Sequence, residues 1–125
     1  MTDKPKILVV DDENLIVTMI KDFLEANNYQ VITAIDGEEG LHKARAEKPN
    51  LIILDVMMPK LDGYKVARLL KFDVRYKHIP IIMLTARAGT VDRDVSLKSG
   101  ADAYLVKPLD LAILLAKIEA LLPKA

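Results

Sequence analysis

Cysteine is absent from the 125 residues, which excludes disulfides, thiolate metal sites and cysteine nucleophiles. Charge of one sign is lacking too: Lys+Arg and Asp+Glu both number 18, unlike a chain that holds nucleic acid by bulk charge. No apolar run approaches the roughly 18 residues a membrane span needs. The opening Met1-Thr2-Asp3-Lys4-Pro5-Lys6 has no signal-peptide apolar core. Histidine is scarce, and both His42 and His78 sit in polar surroundings that read as surface. There is no Gly/Ser-rich linker and no internal repeat. What is present is 51% hydrophobic and 29% charged residues, the balance of a soluble globular protein. A single domain over residues 1–125, cytoplasmic and without membrane contact, is the expectation.

Short apolar runs alternate with segments of helical period. Strands are predicted over Lys6-Ile7-Leu8-Val9-Val10, Gln30-Val31-Ile32-Thr33-Ala34, Leu51-Ile52-Ile53-Leu54, Ile79 to Leu84, and Ala103-Tyr104-Leu105-Val106. The third and fourth are apolar without alternation, the mark of strands buried on both faces. The second is more polar and suits an edge. Helices are predicted from Asn14 to Asn27-Asn28, over about Glu38 to Glu47, from Gly63 to about Phe72, around Val91 to Ser99, and after Pro108. In the first, Leu15, Ile16, Met19, Ile20, Phe23 and Leu24 recur at helical spacing, and in the third Val66, Leu69 and Leu70 are read as inward. The last has the inner stripe Leu111, Leu114, Leu115, Ile118, Leu121 and Leu122. Five strands alternating with five helices predict an α/β fold around a doubly wound parallel sheet; no residue states the strand order, but the edge-like second strand and two central apolar ones suit the flavodoxin-like order 2-1-3-4-5.

Polar residues fall where such a fold would use them. The first apolar strand ends in Asp11-Asp12, the third in Asp55, the fourth in Thr85 and the fifth in Lys107. Parallel strands bring those ends to one edge, where open α/β sheets bind ligands. Singly, each residue is an ordinary turn, cap or surface residue; together they are hard to read as coincidence. Clustered carboxylates raise one another's pKa, and three side by side make sense around a divalent cation. Oxygen donors without His or Cys favour Mg²⁺ or Mn²⁺. Thr85 can donate to a phosphoryl oxygen and Lys107 can neutralise another. These are the parts of a phosphoryl-transfer site. Met57-Met58 beside it reads as packing rather than a soft-metal site.

Over essentially its whole length the sequence resembles the response regulator receiver family of two-component signalling. The motifs are Val9-Val10-Asp11-Asp12-Glu13, Asp55-Val56-Met57-Met58-Pro59-Lys60-Leu61-Asp62-Gly63, Leu84-Thr85-Ala86, and Gly100-Ala101-Asp102-Ala103-Tyr104-Leu105-Val106-Lys107-Pro108. The resemblance implies that Asp55 takes a phosphoryl group from a phosphohistidine on a sensor histidine kinase or histidine phosphotransfer protein. It implies Mg²⁺ held by Asp12, Asp55 and the backbone carbonyl of Met57, with Asp11 acting through a metal-bound water. Thr85 and Lys107 would hold the phosphoryl oxygens, and Lys107-Pro108 would be cis. The phosphate would be lost by autodephosphorylation. Such a chain is a phosphoacceptor switch rather than a turnover enzyme.

The resemblance also implies a switch mechanism. A phosphoryl group adds about −1.5 to −2 charges, drawing Thr85 toward it, and Tyr104 would turn into the vacated space. The face formed by the fourth helix, fifth strand and fifth helix would then change shape for an output partner that the sequence does not identify. Met57 and Arg87 occupy the two positions that tune phosphate lifetime: Met57 cannot orient an attacking water by hydrogen bonding and Arg87 could shield or pair with the phosphate, so a long-lived phosphoryl state is expected. On the output face, Arg93, Asp102 and Lys117 fit the paired charges of the winged-helix regulators in this family. Ala103 and Ile113 replace expected acidic partners, which leaves phosphorylation-dependent dimerisation through that face open. Ile113, Ala116 and Ala120 form either a mildly apolar docking surface or scattered exposed residues. Two other functions compete. A Mg²⁺-dependent aspartyl phosphatase would want a second Asp at position 57. A flavin carrier would need a Ser-, Thr- or Gly-rich phosphate loop where Asp11-Asp12-Glu13 stands.

Overall fold

The computed structural model describes residues 4–58, 61–85 and 100–122. Within them the chain forms β1 (Lys6–Val10), α1 (Asn14–Ala26), β2 (Gln30–Ala34), α2 (Gly37–Glu47), β3 (Leu51–Asp55), α3 (Gly63–Lys71), β4 (Ile81–Thr85), β5 (Ala103–Val106) and α4 (Leu111–Leu121). The strands make one parallel sheet in the order β2-β1-β3-β4-β5, as expected. The helix expected around Val91 to Ser99 lies outside the described residues, as do Ala86, Arg87 and Arg93.

Successive strand residues point to opposite faces, and both faces are covered. Ile7, Val9, Leu51, Ile53, Ile82 and Leu84 pack with Val17, Ile20 and Leu24 of α1 and Leu114 and Ile118 of α4. Leu8, Val10, Ile52, Leu54, Ile81 and Met83 pack with Ala44 of α2 and Val66, Ala67 and Leu70 of α3. This is why β3 and β4 read as unbroken apolar runs: every residue of each is buried. Burial of each large aliphatic side chain contributes about 1.5–3 kcal/mol, so a charge placed at Ile53 would break the sheet at its centre.

Helix starts follow local chemistry. Asp36 accepts from the Glu39 amide at 2.8 Å, Asp62 from Lys65 at 3.0 Å and Asp110 from Ala112 at 2.9 Å, each satisfying an orphan first-turn N–H. One detail of the helix reading needs correction, the inward place given to Leu69 in α3, and the structure adds which side of α1 is buried. Leu15 and Met19 of α1 face solvent while Val17 is buried, and in α3 Leu69 is exposed while Ala67 is buried. Both helices carry apolar residues on more than one stripe. Contact with the sheet selects Val17, Ile20 and Leu24 in one and the small Ala67 beside Val66 and Leu70 in the other.

Candidate functional site

The parallel register delivers Asp11, Asp55, Thr85 and Lys107 to one edge. Thr85 lies opposite Val106, and its carbonyl accepts the Lys107 N–H at 2.7 Å. Asp55 is the last residue of β3, 4% exposed. The backbone after it is fixed by Val56 N–H to Leu84 O and Gly63 N–H to Val56 O, both 3.0 Å. A Cβ on Gly63 would fall 2.2 Å from the Asp55 carbonyl oxygen, so only glycine lets α3 start this close to the strand end. Lys107-Pro108 is cis, as the resemblance implies.

One ammonium serves several carboxylates. Lys107 Nζ lies 3.0 Å from Asp11 Oδ2, 3.3 Å from Glu13 Oε1 and 3.4 Å from Asp55 Oδ1. Asp11 is fully buried. Its Oδ1 accepts the Glu13 N–H at 2.9 Å, but its Oδ2 lacks any aligned hydrogen-bond donor among the described residues despite the nearby ammonium. Asp12 is exposed, and Asp11, Asp12 and Asp55 can each bring an oxygen within 4.8 Å of the others. Burial and then the Asp11 charge push the Asp55 carboxyl up to about 6, against the opposing pull of Lys107 and the Met57 amide. For Lys107, burial favours the neutral amine, but Asp11, Asp55 and Glu13 outweigh it and its pKa is raised. The site therefore has excess negative charge, oxygen donors only, and a buried oxygen whose hydrogen-bonding capacity is unfilled. Those properties fit a hard divalent cation.

Of the other expected residues, Thr85 is buried at the edge. Tyr104 is partly buried, opposite Met83, and packs on the α2–α3 side of the core. Met57 is 72% exposed beside the acceptor. His42 and His78 are exposed, as expected. Asp102 has partners within its own chain: its carboxylate lies 2.6 Å from Lys71 Nζ and accepts the Ile81 N–H at 2.8 Å. Sequence reading assigned no role to Glu13 beyond its motif and missed the Lys71 partner. Glu13 could have been found as a third acid next to Asp11-Asp12. Nothing in the sequence signals a pairing 31 positions apart (102 less 71).

A family model described as the response regulator receiver domain matches residues 7–119. The chain belongs to that family. This receiver domain is 48% identical over 120 residues to the alkaline phosphatase synthesis transcriptional regulatory protein PhoP of Bacillus subtilis, covering 96% of this chain and 49% of that protein. It thus spans about half the length of the first curated relatives it matches. Among solved structures, the chemotaxis protein CheY4 of Vibrio cholerae matches with a TM-score of 0.89 at 34% identity, over 95% of this chain and 99% of that one. The receiver domain of the sensor histidine kinase PA1611 from Pseudomonas aeruginosa matches with a TM-score of 0.87 at 32% identity, over 94% of this chain and 96% of that one; that structure has a magnesium ion coordinated in its active site cleft. Membership makes this receiver domain a phosphorylation-dependent signalling switch. No helix among the described residues is long and apolar enough to cross a membrane.

Proposed function

We propose that Asp55 is the phosphoacceptor and that the reaction requires Mg²⁺ or Mn²⁺ held by Asp12, Asp55 and the Met57 carbonyl, with Asp11 acting through a bound water. The observation that carries the reading is the charge excess at this edge: Asp11, Glu13 and Asp55 share one ammonium, Asp12 adds a further carboxylate within 4.8 Å of Asp11 and Asp55, and Asp11 Oδ2 has no aligned hydrogen-bond donor among the described residues. A bound divalent cation supplies charge neutralisation for the incoming phosphoryl oxygens.

The donor is a phosphohistidine on a sensor histidine kinase or histidine phosphotransfer protein. An Asp55 carboxylate oxygen attacks phosphorus in line with the P–N bond; the new P–O bond forms as P–N breaks, and the departing imidazole takes a proton. Asp55 must be ionised to attack, so its pKa of about 6 leaves it a carboxylate at neutral pH. Lys107, protonated at neutral pH, exchanges part of its contact with Asp11 and Asp55 for a phosphoryl oxygen, and the Thr85 hydroxyl donates to another. Drawing Thr85 outward releases space for Tyr104, which already packs against the core beside Met83. The face that includes β5 and α4 changes shape and engages an output partner. Water later hydrolyses the acyl phosphate, and the exposed Met57 thioether cannot orient that water.

Incubation with Mg²⁺ and a small phosphodonor, followed by intact-mass measurement, tests the reading. Uptake of one phosphoryl group is expected, lost in EDTA and in Asp55→Asn. A gain that persists in Asp55→Asn would falsify the assignment of the acceptor.

A further inference from the structure

Two exposed helix faces carry matching patterns of opposite charge. On α1, Leu15, Met19 and Asp22 follow one another at i, i+4 and i+7, which places them on one stripe; Leu15 is 82% exposed. On α3, Lys65, Leu69 and Phe72 follow at the same intervals with Arg68 alongside, and Phe72, its C-cap residue, is 74% exposed. Each stripe spans about 10 Å at 1.5 Å per residue. From its start α1 presents apolar, apolar, acidic; from its end α3 presents apolar, apolar, basic. Asp22, Lys65 and Arg68 have no ion pair among the described residues.

We infer that these faces dock against each other between copies of this chain. Laid antiparallel, Leu15 meets Phe72, Met19 meets Leu69, and Asp22 meets Lys65 and Arg68. The partner is a second copy because both halves of the match are on one molecule; laid antiparallel, steps of four then three residues on α1 meet three then four on α3, which offsets the middle pair by only about 1.5 Å. The α1 and α3 helices cover opposite faces of the sheet, so the contact is heterologous and propagates head to tail rather than closing a two-fold dimer. Leu15 lies four residues beyond Asp11, so the docked copy borders the acidic edge. The association needs neither phosphoryl group nor metal, and its test is independent of the assignment of Asp55.

Sedimentation equilibrium of the 125-residue chain at low salt, without Mg²⁺ or phosphodonor, tests it. The weight-average mass should rise with concentration to the dimer and beyond, and fall back toward the monomer as salt screens the charged half of the contact. Arg68→Glu and Asp22→Lys should each be monomeric with unchanged circular-dichroism melting, since both positions are exposed. Mixed together they should associate again, because each supplies the face the other lacks. Phe72→Ser should also be monomeric. A monomer at every concentration, charge variants that associate like the parent, or a mixture that stays monomeric would each overturn the proposal. Binding of the monomer to anionic vesicles through the α3 face would overturn it in favour of a lipid-facing surface.

Discussion

At the edge where the strands begin, the Lys71 ammonium lies 2.6 Å from Asp102 and donates to the carbonyls of Ile79 at 2.7 Å and Lys77 at 3.1 Å. Asp102 in turn accepts the Ile81 amide. At the edge where the strands end, the Lys107 ammonium is divided among Asp11, Glu13 and Asp55 at 3.0–3.4 Å, and one buried Asp11 oxygen has no aligned hydrogen-bond donor among the described residues. Both edges belong to one sheet, held by the same apolar strands. One edge satisfies its charges and ties α3 to the starts of β4 and β5; the other leaves them in excess, at a cost to stability. That contrast separates residues that hold the fold from those proposed to take a ligand.

Breaking the contrast at its most charged point gives the largest expected effect. The Asp55 carboxyl is raised from 3.8 to about 6 in the folded protein. In metal-free protein its protonated form is favoured by folding, so that stabilisation is complete below about pH 4 and is lost as pH rises through about 6. At about 1.4 kcal/mol per unit the loss is at most about 3 kcal/mol. Urea denaturation in EDTA should show stability falling over this window, and Asp55→Asn should abolish the fall. Asp73, held down to about 2 by hydrogen bonds from Arg75, titrates with the opposite sign, mostly below pH 4, and does not mask it. A stability that rises from pH 4 to 6.5 would mean that the end of β3 is better solvated than its burial implies.

The satisfied edge should respond differently. Lys71→Met removes the donor from two carbonyls and one carboxylate, and the expected loss is about 2 kcal/mol, read by urea denaturation. Mg²⁺ affinity, measured by fluorescence of an extrinsic probe or by calorimetry, should stay within about two-fold, since less than 0.5 kcal/mol is expected to reach the other edge. A large change in affinity would show that the two edges are mechanically coupled, and the contrast would have to be redrawn.

How much of this was legible in the sequence depends on the range of the interaction concerned. The parallel sheet and the shared edge followed from apolar runs that the structure places in strands Leu51–Asp55 and Ile81–Thr85, because burial on both faces leaves an unbroken apolar run; the strand order was only suited by that pattern, not written in it. The site followed from what stands at the strand ends. Which stripe of α1 and α3 faces the sheet did not follow, because Leu15 and Leu69 are as apolar as Val17 and Ala67 and only the packing distance separates them. Nor did the pairing of Asp102 with Lys71, since Asp102 read as one of the paired charges of the output face; that pair depends on where α3 ends relative to β5, a tertiary fact with no local signature. Charges next to a strand end announced themselves, whereas charges paired across elements did not.

Neutralising a carboxylate at the unsatisfied edge should stabilise the metal-free fold. Asp12 is exposed but within 4.8 Å of the other two acids, and like charges at that distance near water repel by about 1 kcal/mol. Asp12→Asn should therefore raise the melting temperature in EDTA by a few degrees, while saturating Mg²⁺ should stabilise the parent but hardly the variant. Equal melting temperatures in EDTA would mean that the cluster is looser than its geometry suggests.

The smallest expected effect concerns how long the edge stays occupied. Met57 is 72% exposed two residues beyond Asp55, so under the proposed function it would neither seal the acyl phosphate from water nor align a water for attack. An asparagine there presents an amide that can hydrogen-bond the attacking water, an advantage of a few-fold where orientation is the only gain. Met57→Asn should take up phosphate like the parent, since it leaves the Met57 carbonyl and the Asp11–Asp55–Lys107 cluster intact, and then lose it about two- to ten-fold faster, a barrier change of about 0.4–1.4 kcal/mol. The decay of the phosphorylated mass with time measures this directly. An unchanged decay would place control of the lifetime elsewhere at the edge, and would make the unsatisfied charges there determinants of phosphate capture alone.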